Sequence, residues 1–266
     1  MCSKSLDFNP GGHVTALRRT VLPFAGFAVV IAAWWLAATL ITGKDVPTPG
    51  EVFATAWSGL REPEGLLVDI RLSVVRVLIG VVVGCALSLP VGFALAWFPT
   101  LRAMFDPIIN FCRALPPIAL TPLVIIYLGI GEEARLFVLV WAAFFASVVV
   151  LYEGIAAVED IYVRAGRALG ATDLELFRRV IVPATVPQMF VAVRVALGVS
   201  WATLVAAELI AAQRGLGAAI QRSASFFRTE EVYAGILLIG VCALLMDIAV
   251  RLVQARAVSW QERVVR

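Results

Sequence analysis

Six separate runs of mainly apolar residues constrain this chain more than any other feature. They cover about 20–41, 74–98, 107–130, 134–152, 187–211 and 232–253. About 20 such residues in a helix cross the hydrocarbon core of a bilayer, whereas a transmembrane β-barrel would show short alternating segments. Composition excludes the soluble alternative. Of 266 residues, 61% are hydrophobic and 15% charged, against about 45–50% and about 25% in an ordinary soluble domain. The expected fold class is therefore all-α, a polytopic membrane protein with six transmembrane helices. The first run, VLPFAGFAVVIAAWWLAATLI, is too long for the apolar core of a signal peptide, and no A-x-A-like site follows it. It is expected to remain as a span, with Trp34 and Trp35 packing inside it.

Lysine and arginine set the orientation. With the N-terminus inside, eleven fall on the cytoplasmic side (Lys4, Arg18, Arg19, Arg102, Arg164, Arg167, Arg178, Arg179, Arg256, Arg263 and Arg266) and seven outside (Lys44, Arg61, Arg71, Arg135, Arg214, Arg222 and Arg228). Six spans return the C-terminus to the cytoplasm. The chain then divides into a cytoplasmic segment 1–19, a first span 20–41 and an outer connection 42–73. A five-helix core 74–253, with a cytoplasmic loop at 153–186, and a cytoplasmic tail 254–266 complete it. In the outer connection, Val52, Phe53, Ala56 and Trp57 recur at helical spacing, which predicts a short amphipathic helix.

Several chemistries are disfavoured. The one histidine, His13, precedes the first span, so a histidine metal site or a His-based triad is not expected, and no metal site is predicted. Cys2, Cys85, Cys112 and Cys242 lie far apart without CxxC spacing and are expected to act as small apolar side chains. A net charge of +3 gives no reason to expect nucleic acid.

Ionisable residues inside spans are costly and become functional candidates. Arg76, near the outer start of the second span, is expected to snorkel to the interface. Asp247 and Arg251 stand four apart, in the order that favours an ion pair. Arg113 precedes Pro116, Pro117 and Pro122, which predict a kinked third helix of the kind that lines transport cavities; a pathway role and simple snorkelling both fit it. Arg194, Trp201 and Glu208 recur every seven residues and share one face of the fifth span. Arg194 and Glu208 are about 21 Å apart along that helix, so each needs its own partner or water. Their face is a candidate pore lining or subunit seam; snorkelling ends with a packed tryptophan are the plainer reading. Gly80 and Gly84 form a GxxxG that permits close helix contact.

The loop EGIAAVEDIYVRAGRALGATDLELFRRVIVPATVP (153–187) is long for a connector. Ile161, Ala165, Ala168 and Leu169, then Leu174, Phe177, Val180 and Ile181, carry helical periodicity. Gly170 separates the two sets. Thr172 or Asp173 can cap the second helix with Glu175 in its first turn, and Pro183 and Pro187 are expected to end it before the fifth span. Two short helices meeting at a glycine bend are predicted, either covering the bundle end or serving a partner.

This segment resembles the EAA loop of bacterial ABC importer permeases, whose pattern is E-A-A, three residues, Gly, nine residues, Ile, one residue, Leu-Pro. Here the register falls on Arg164, Ala165 and Gly166, then Gly170, Val180, Val182 and Pro183. Arg164 replaces the opening glutamate. Further blocks, VPTPGEV, SVVRVLIGVVVG, RALPPIALTPLVIIYLGIGE, WATLVAAELIAAQRGLG and FFRTEEV, resemble the taurine, aliphatic sulfonate and nitrate permease group, taurine permeases above all.

The resemblance implies a type I ABC importer permease fold in a bacterial cytoplasmic membrane and a translocation pathway for a small anion. Taurine or another sulfonate is favoured, with nitrate or an aromatic acid as alternatives. It implies as partners a second permease subunit (a homodimer is expected), two cytoplasmic ATPase subunits and a periplasmic or lipid-anchored binding protein, within membrane lipid. The ATPase-coupling residues would be Arg164, Ala165, Gly166, Gly170, Asp173, Phe177 and Pro183. The candidate pathway residues are Arg113, Pro116, Pro117, Arg194, Trp201 and Glu208. No G-x-x-x-x-G-K-[ST] phosphate loop occurs, since Gly43-Lys44 is followed by Asp45. The chain is thus expected to be no enzyme and to bind no cofactor, with ATP and Mg used by the partner. A self-sufficient secondary transporter is the reading from another class.

Overall fold

A computed structural model describes residues 12–40, 46–62 and 65–258. The remainder of the predicted terminal segments, with Lys44, lies outside the described residues. The elements are α1 (Gly12–Leu40), α2 (Pro49–Arg61), α3 (Leu66–Trp97), α4 (Pro99–Ala114), a 3-10 turn (Pro117–Leu120), α5 (Thr121–Leu128), α6 (Glu132–Ala156), α7 (Asp160–Ala168), α8 (Asp173–Leu176), a π turn (Phe177–Ile181), α9 (Val182–Ala211), α10 (Leu216–Ser225) and α11 (Thr229–Ala257). Among the described residues every regular element is helical.

Four helices are long and apolar enough to cross a membrane: Leu66–Trp97, Glu132–Ala156, Asp173–Leu209 and Thr229–Ala257. The third predicted span is not one straight helix. Pro99–Ala114 and Pro117–Leu128 meet at 88°, and counting them together makes five. A residue before proline is pushed to extended backbone. Two successive prolines therefore hold both Leu115 (ψ 124°) and Pro116 (ψ 120°) out of the helical region. The first predicted span falls in α1, whose described apolar part is Ala25–Leu40. Trp34 stacks on Tyr233 of α11 at 5.9 Å, whereas Trp35 is exposed.

Two predicted boundaries need correction. Helix α3 begins at Leu66 rather than about residue 74, because Asp69, Ser73 and Arg76 find buried partners that let polar residues continue the helix. The second loop helix does not end at Pro183 and Pro187. It runs unbroken from Asp173 to Leu209. At the π turn Val182 N–H bonds to Phe177 O, five residues back. This wider turn accommodates a proline ring that would otherwise crowd the preceding carbonyls.

The centre of the bundle is the seam between α3 and α6. A Cβ added at Gly80 would lie 2.7 Å from Leu139 Cβ, at Gly84 2.6 Å from Ala143 Cβ, and at Gly92 2.9 Å from Leu151 Cβ. Ser88, at the same four-residue spacing, accepts a hydrogen bond from Ser147 at 2.8 Å. Small residues every four positions thus let the two helices interlock along matching ridges. The GxxxG glycines are used within the chain. Helix α9 packs on the same core through Ala196, Leu197, Trp201 and Leu204. The amphipathic α2 buries Val52 and Ala56 against Ala234 of α11 and leaves Phe53 and Trp57 exposed.

Candidate coupling loop and translocation elements

The predicted glycine bend is built from complete turn chemistry. Gly170 adopts φ +83°, a region that disfavours any residue with a Cβ. Gly170 N–H bonds to Arg167 O at 3.0 Å and Ala171 N–H to Gly166 O at 3.1 Å, which together close the end of α7 in a Schellman motif. Thr172 then caps α8: its hydroxyl accepts from Glu175 N–H, and the Glu175 carboxylate accepts from Thr172 N–H and Oγ1 at 3.0 Å each. Of the two caps considered, Thr172 is the one used.

This hairpin is held to the bundle on one side only. Leu176 and Ile181 are buried. Gly166 allows α7 to close on Leu176, whose side chain occupies the space a Cβ would need. Phe177 sets its ring against Phe93 and Trp97 of α3, with centroids 5.2 and 5.8 Å away, both edge-on. The other side is open. Leu169 is 89% and Leu174 65% exposed, and Ile161 and Tyr162 are exposed with them. Arg164, the departure from the EAA pattern, pairs loosely with Asp160 at 3.7 Å, and Arg167 with Asp173 at 3.6 Å. All four are solvent-facing, so these pairs contribute little. Ala165 and Pro183 are also exposed.

The opposite end of the bundle holds a buried ionic cluster that the sequence did not reveal. Arg76 does not snorkel. It is 4% exposed, and its Nη1 donates to Glu208 Oε1 at 2.6 Å and to Arg214 O at 2.8 Å, while Nε donates to Glu132 Oε2 at 2.8 Å. Glu208 also accepts from Ser73 Oγ at 2.8 Å and from Gly217 N–H at 2.9 Å. Leu216 N–H bonds to Ser73 Oγ and Gly215 N–H to Asp69 Oδ1, which pairs through Oδ2 with Arg222. The amides of Gly215, Leu216 and Gly217, which open α10, thereby each meet an oxygen from α3 or α9, the arrangement a helix N-terminus favours. Asp69 and Arg76 lie on α3 more than a hundred residues before their partners in α9 and α10, so no local spacing could signal the cluster.

Arg194 likewise has a partner on another helix. Its Nε donates to Asp247 Oδ1 at 2.6 Å, and Asp247 Oδ2 accepts from Arg251 Nε at 2.7 Å. The expected Asp247–Arg251 pair is therefore present and extended across the α9–α11 contact. Trp201 is buried in the core and Glu208 in the ionic cluster. The neighbouring face of α9 stays open, with Val191, Val195, Gly198 and Ala202 exposed. Arg113 occupies the last turn of α4 just before the Leu115–Pro117 corner, and Pro116 is exposed there. Among the described residues, no group of three or more His, Cys, Asp or Glu is arranged to hold a metal ion.

Residues 86–259 match the family model described as the binding-protein-dependent transport system inner membrane component. The chain belongs to that family. It is the membrane permease component of an ABC importer, not the ATPase. This permease is 42% identical to a probable ABC transporter permease protein of Brucella abortus (strain 2308), over 91% of this chain and 96% of that one. It is 35% identical to the taurine transport system permease protein TauC of Escherichia coli (strain K12), over 93% and 92%. Aliphatic sulfonate and nitrate permeases are related along most of its length. The permease fold also aligns with a chain from an inward-facing structure of the MetNI methionine ABC transporter. There the TM-score is 0.65 at 18% identity, over 72% of this chain and 95% of that one. The fold is that of type I importer permeases, and the permease is an inner membrane component.

Proposed function

We propose that this permease forms half of the translocation pathway of an ATP-driven importer for a small anion, with taurine or another sulfonate favoured over nitrate. The family of relatives supports that substrate class. A second copy completes the pore, two cytoplasmic ATPase subunits bind and hydrolyse ATP with Mg, and an external binding protein delivers the anion. The chain itself performs no hydrolysis, and both its termini lie in the cytoplasm.

The observation that carries this reading is the one-sided α7–α8 hairpin. Its bend is fixed by Gly170 and the Thr172–Glu175 box, its inner side is keyed to α3 by Phe177, and its outer side presents Leu169 and Leu174. Exposed leucines on a rigid turn favour insertion into a complementary groove. Closure of two ATPase subunits would move the hairpin, and Phe177 would pass that displacement to the end of α3, where α4 begins. Helix α4 carries Arg113 to the proline corner. In this reading Arg113, Pro116 and Pro117 line the pathway together with the open face of α9. Arg194, Trp201 and Glu208 hold α9 in place from behind that face. The motion is a rigid-body transition between two global states.

Site-specific cross-linking tests the docking. With the partner ATPase present, Leu169→Cys and Leu174→Cys are expected to cross-link to it, and a cysteine placed at Phe53 on α2 is not. Cross-linking from Phe53 and none from Leu169 or Leu174 would overturn the assignment.

A further inference from the structure

Arg113 stands apart from the ion-paired arginines of the apolar helices. Arg76, Arg135, Arg194 and Arg251 each have a carboxylate within 2.7 Å. Among the described residues no carboxylate pairs with Arg113 within 4.0 Å. Its side chain lines a cavity of about 300 Å³ between α4, α6 and α9. A cation beside apolar walls is costly unless water or an anion accompanies it. A second donor lies within the cavity wall. Trp141 lines it, and its Nε1 is buried without a hydrogen-bond partner. The Trp141 ring packs on Phe145 at 4.5 Å, and Phe145, Val195 and Val199 supply an apolar wall. Among the described residues no carboxylate lines the space. Its volume is at the lower end of the range for small-molecule sites, about 300–1,000 Å³.

We propose that this cavity is a subsite for a small organic anion on the translocation route, an inference that rests on the permease reading above. A sulfonate or carboxylate group accepts from the Arg113 guanidinium and, once the Trp141 ring turns its buried N–H toward the space, from that indole. A short carbon chain lies against Phe145, Val195 and Val199. Nitrate satisfies the two donors but leaves that wall without a partner, so the subsite selects organic anions over it.

Cys112 lines the same cavity and can report its occupancy. The full-length chain carrying Cys2→Ser, Cys85→Ala and Cys242→Ala is placed in nanodiscs without ATP or ATPase. Labelling of Cys112 by a small methanethiosulfonate is then timed with butanesulfonate, nitrate or chloride at equal ionic strength. Butanesulfonate is expected to slow labelling in a saturable way, and nitrate to act no more strongly than chloride. Arg113→Gln should abolish protection, with each variant scored against its own unprotected rate. Trp141→Phe should raise the half-protecting concentration about tenfold, the size of one hydrogen bond to a charged group. Equal protection by nitrate and butanesulfonate would overturn the organic-anion assignment. Normal labelling with no protection by either would overturn the subsite. Because the assay needs no ATPase, its failure leaves the importer reading standing. Intact protection without ATP-driven uptake would instead strike that reading.

Discussion

The two ends of this bundle handle charge in opposite ways. At the α10 end, Asp69, Arg76 and Glu208 are buried, and their hydrogen bonds join α3, α9 and α10, with Glu132 of α6 added at the rim. At the α7–α8 end, Asp160, Arg164, Arg167 and Asp173 are exposed and paired at 3.6 Å or more, beside leucines that face outward. A buried ion pair becomes destabilising when one partner is removed, because the other is left uncompensated in a poor dielectric. An exposed pair is free to exchange its partner for water or another protein. One end is therefore anchored by its own residues, and the other leaves its surface open.

Removing the anchor should give the largest effect. Arg76→Ala leaves Glu208 buried without its cation and is expected to cost about 3–5 kcal/mol. Thermal unfolding of the purified protein in micelles checks this, and a wild-type melting temperature would break the contrast between the ends.

Gly170→Val comes next, and its effect should appear in a different assay. Forcing a Cβ into φ +83° costs about 1–2 kcal/mol locally, at a turn that the core does not depend on. The bundle should stay folded, while substrate-stimulated ATP hydrolysis by the assembled transporter falls several-fold. Wild-type stimulation would remove Gly170 from the coupling element.

A smaller effect concerns pH at α2, on the anchored side but outside the cluster. The Thr48 backbone N–H, and then its hydroxyl, donate to Glu51 and hold its carboxyl below the usual carboxylate range. The folded chain therefore binds that proton less readily than the unfolded one. This support for α2 is complete above the ordinary carboxylate range and fades as pH falls through the depressed value. Amide protection in α2, taken relative to the intrinsic exchange rate at each pH, is expected to fall on acidification, and Glu51→Gln should remove that dependence. Unchanged dependence in that variant would exclude the cap as its source.

The smallest change is expected from Arg164→Gln combined with Asp160→Asn, which should leave the melting temperature unaltered. A clear loss of stability would mean that this exposed pair anchors the hairpin after all.

What could be read from the sequence follows the range of the interactions. Thr172, Glu175 and Gly170 act within a few residues of one another, so the hairpin and its bend were visible in composition and spacing. Asp247 and Arg251 were visible for the same reason. The prolines at 116 and 117 announced a break, although its 88° angle depends on how α4 and α5 pack. Pro183 misled because a π turn five residues long absorbs the ring. Arg76 misled because snorkelling is the cheapest local solution, while its actual partners, Glu132 and Glu208, lie 56 and 132 residues away. Gly80 and Gly84 signalled a close contact without saying to which helix. Seven-residue spacing puts Arg194, Trp201 and Glu208 along one side of α9, but which side of α9 meets the bundle is decided by α3, α6 and α11 together.

Reconstitution tests the central claim most directly. Vesicles holding this chain with its ATPase and an external binding protein should accumulate a labelled sulfonate only when ATP is supplied, and vesicles holding this chain alone should accumulate none. Sustained uptake by the chain alone, driven by an ion gradient without ATP, would contradict the account.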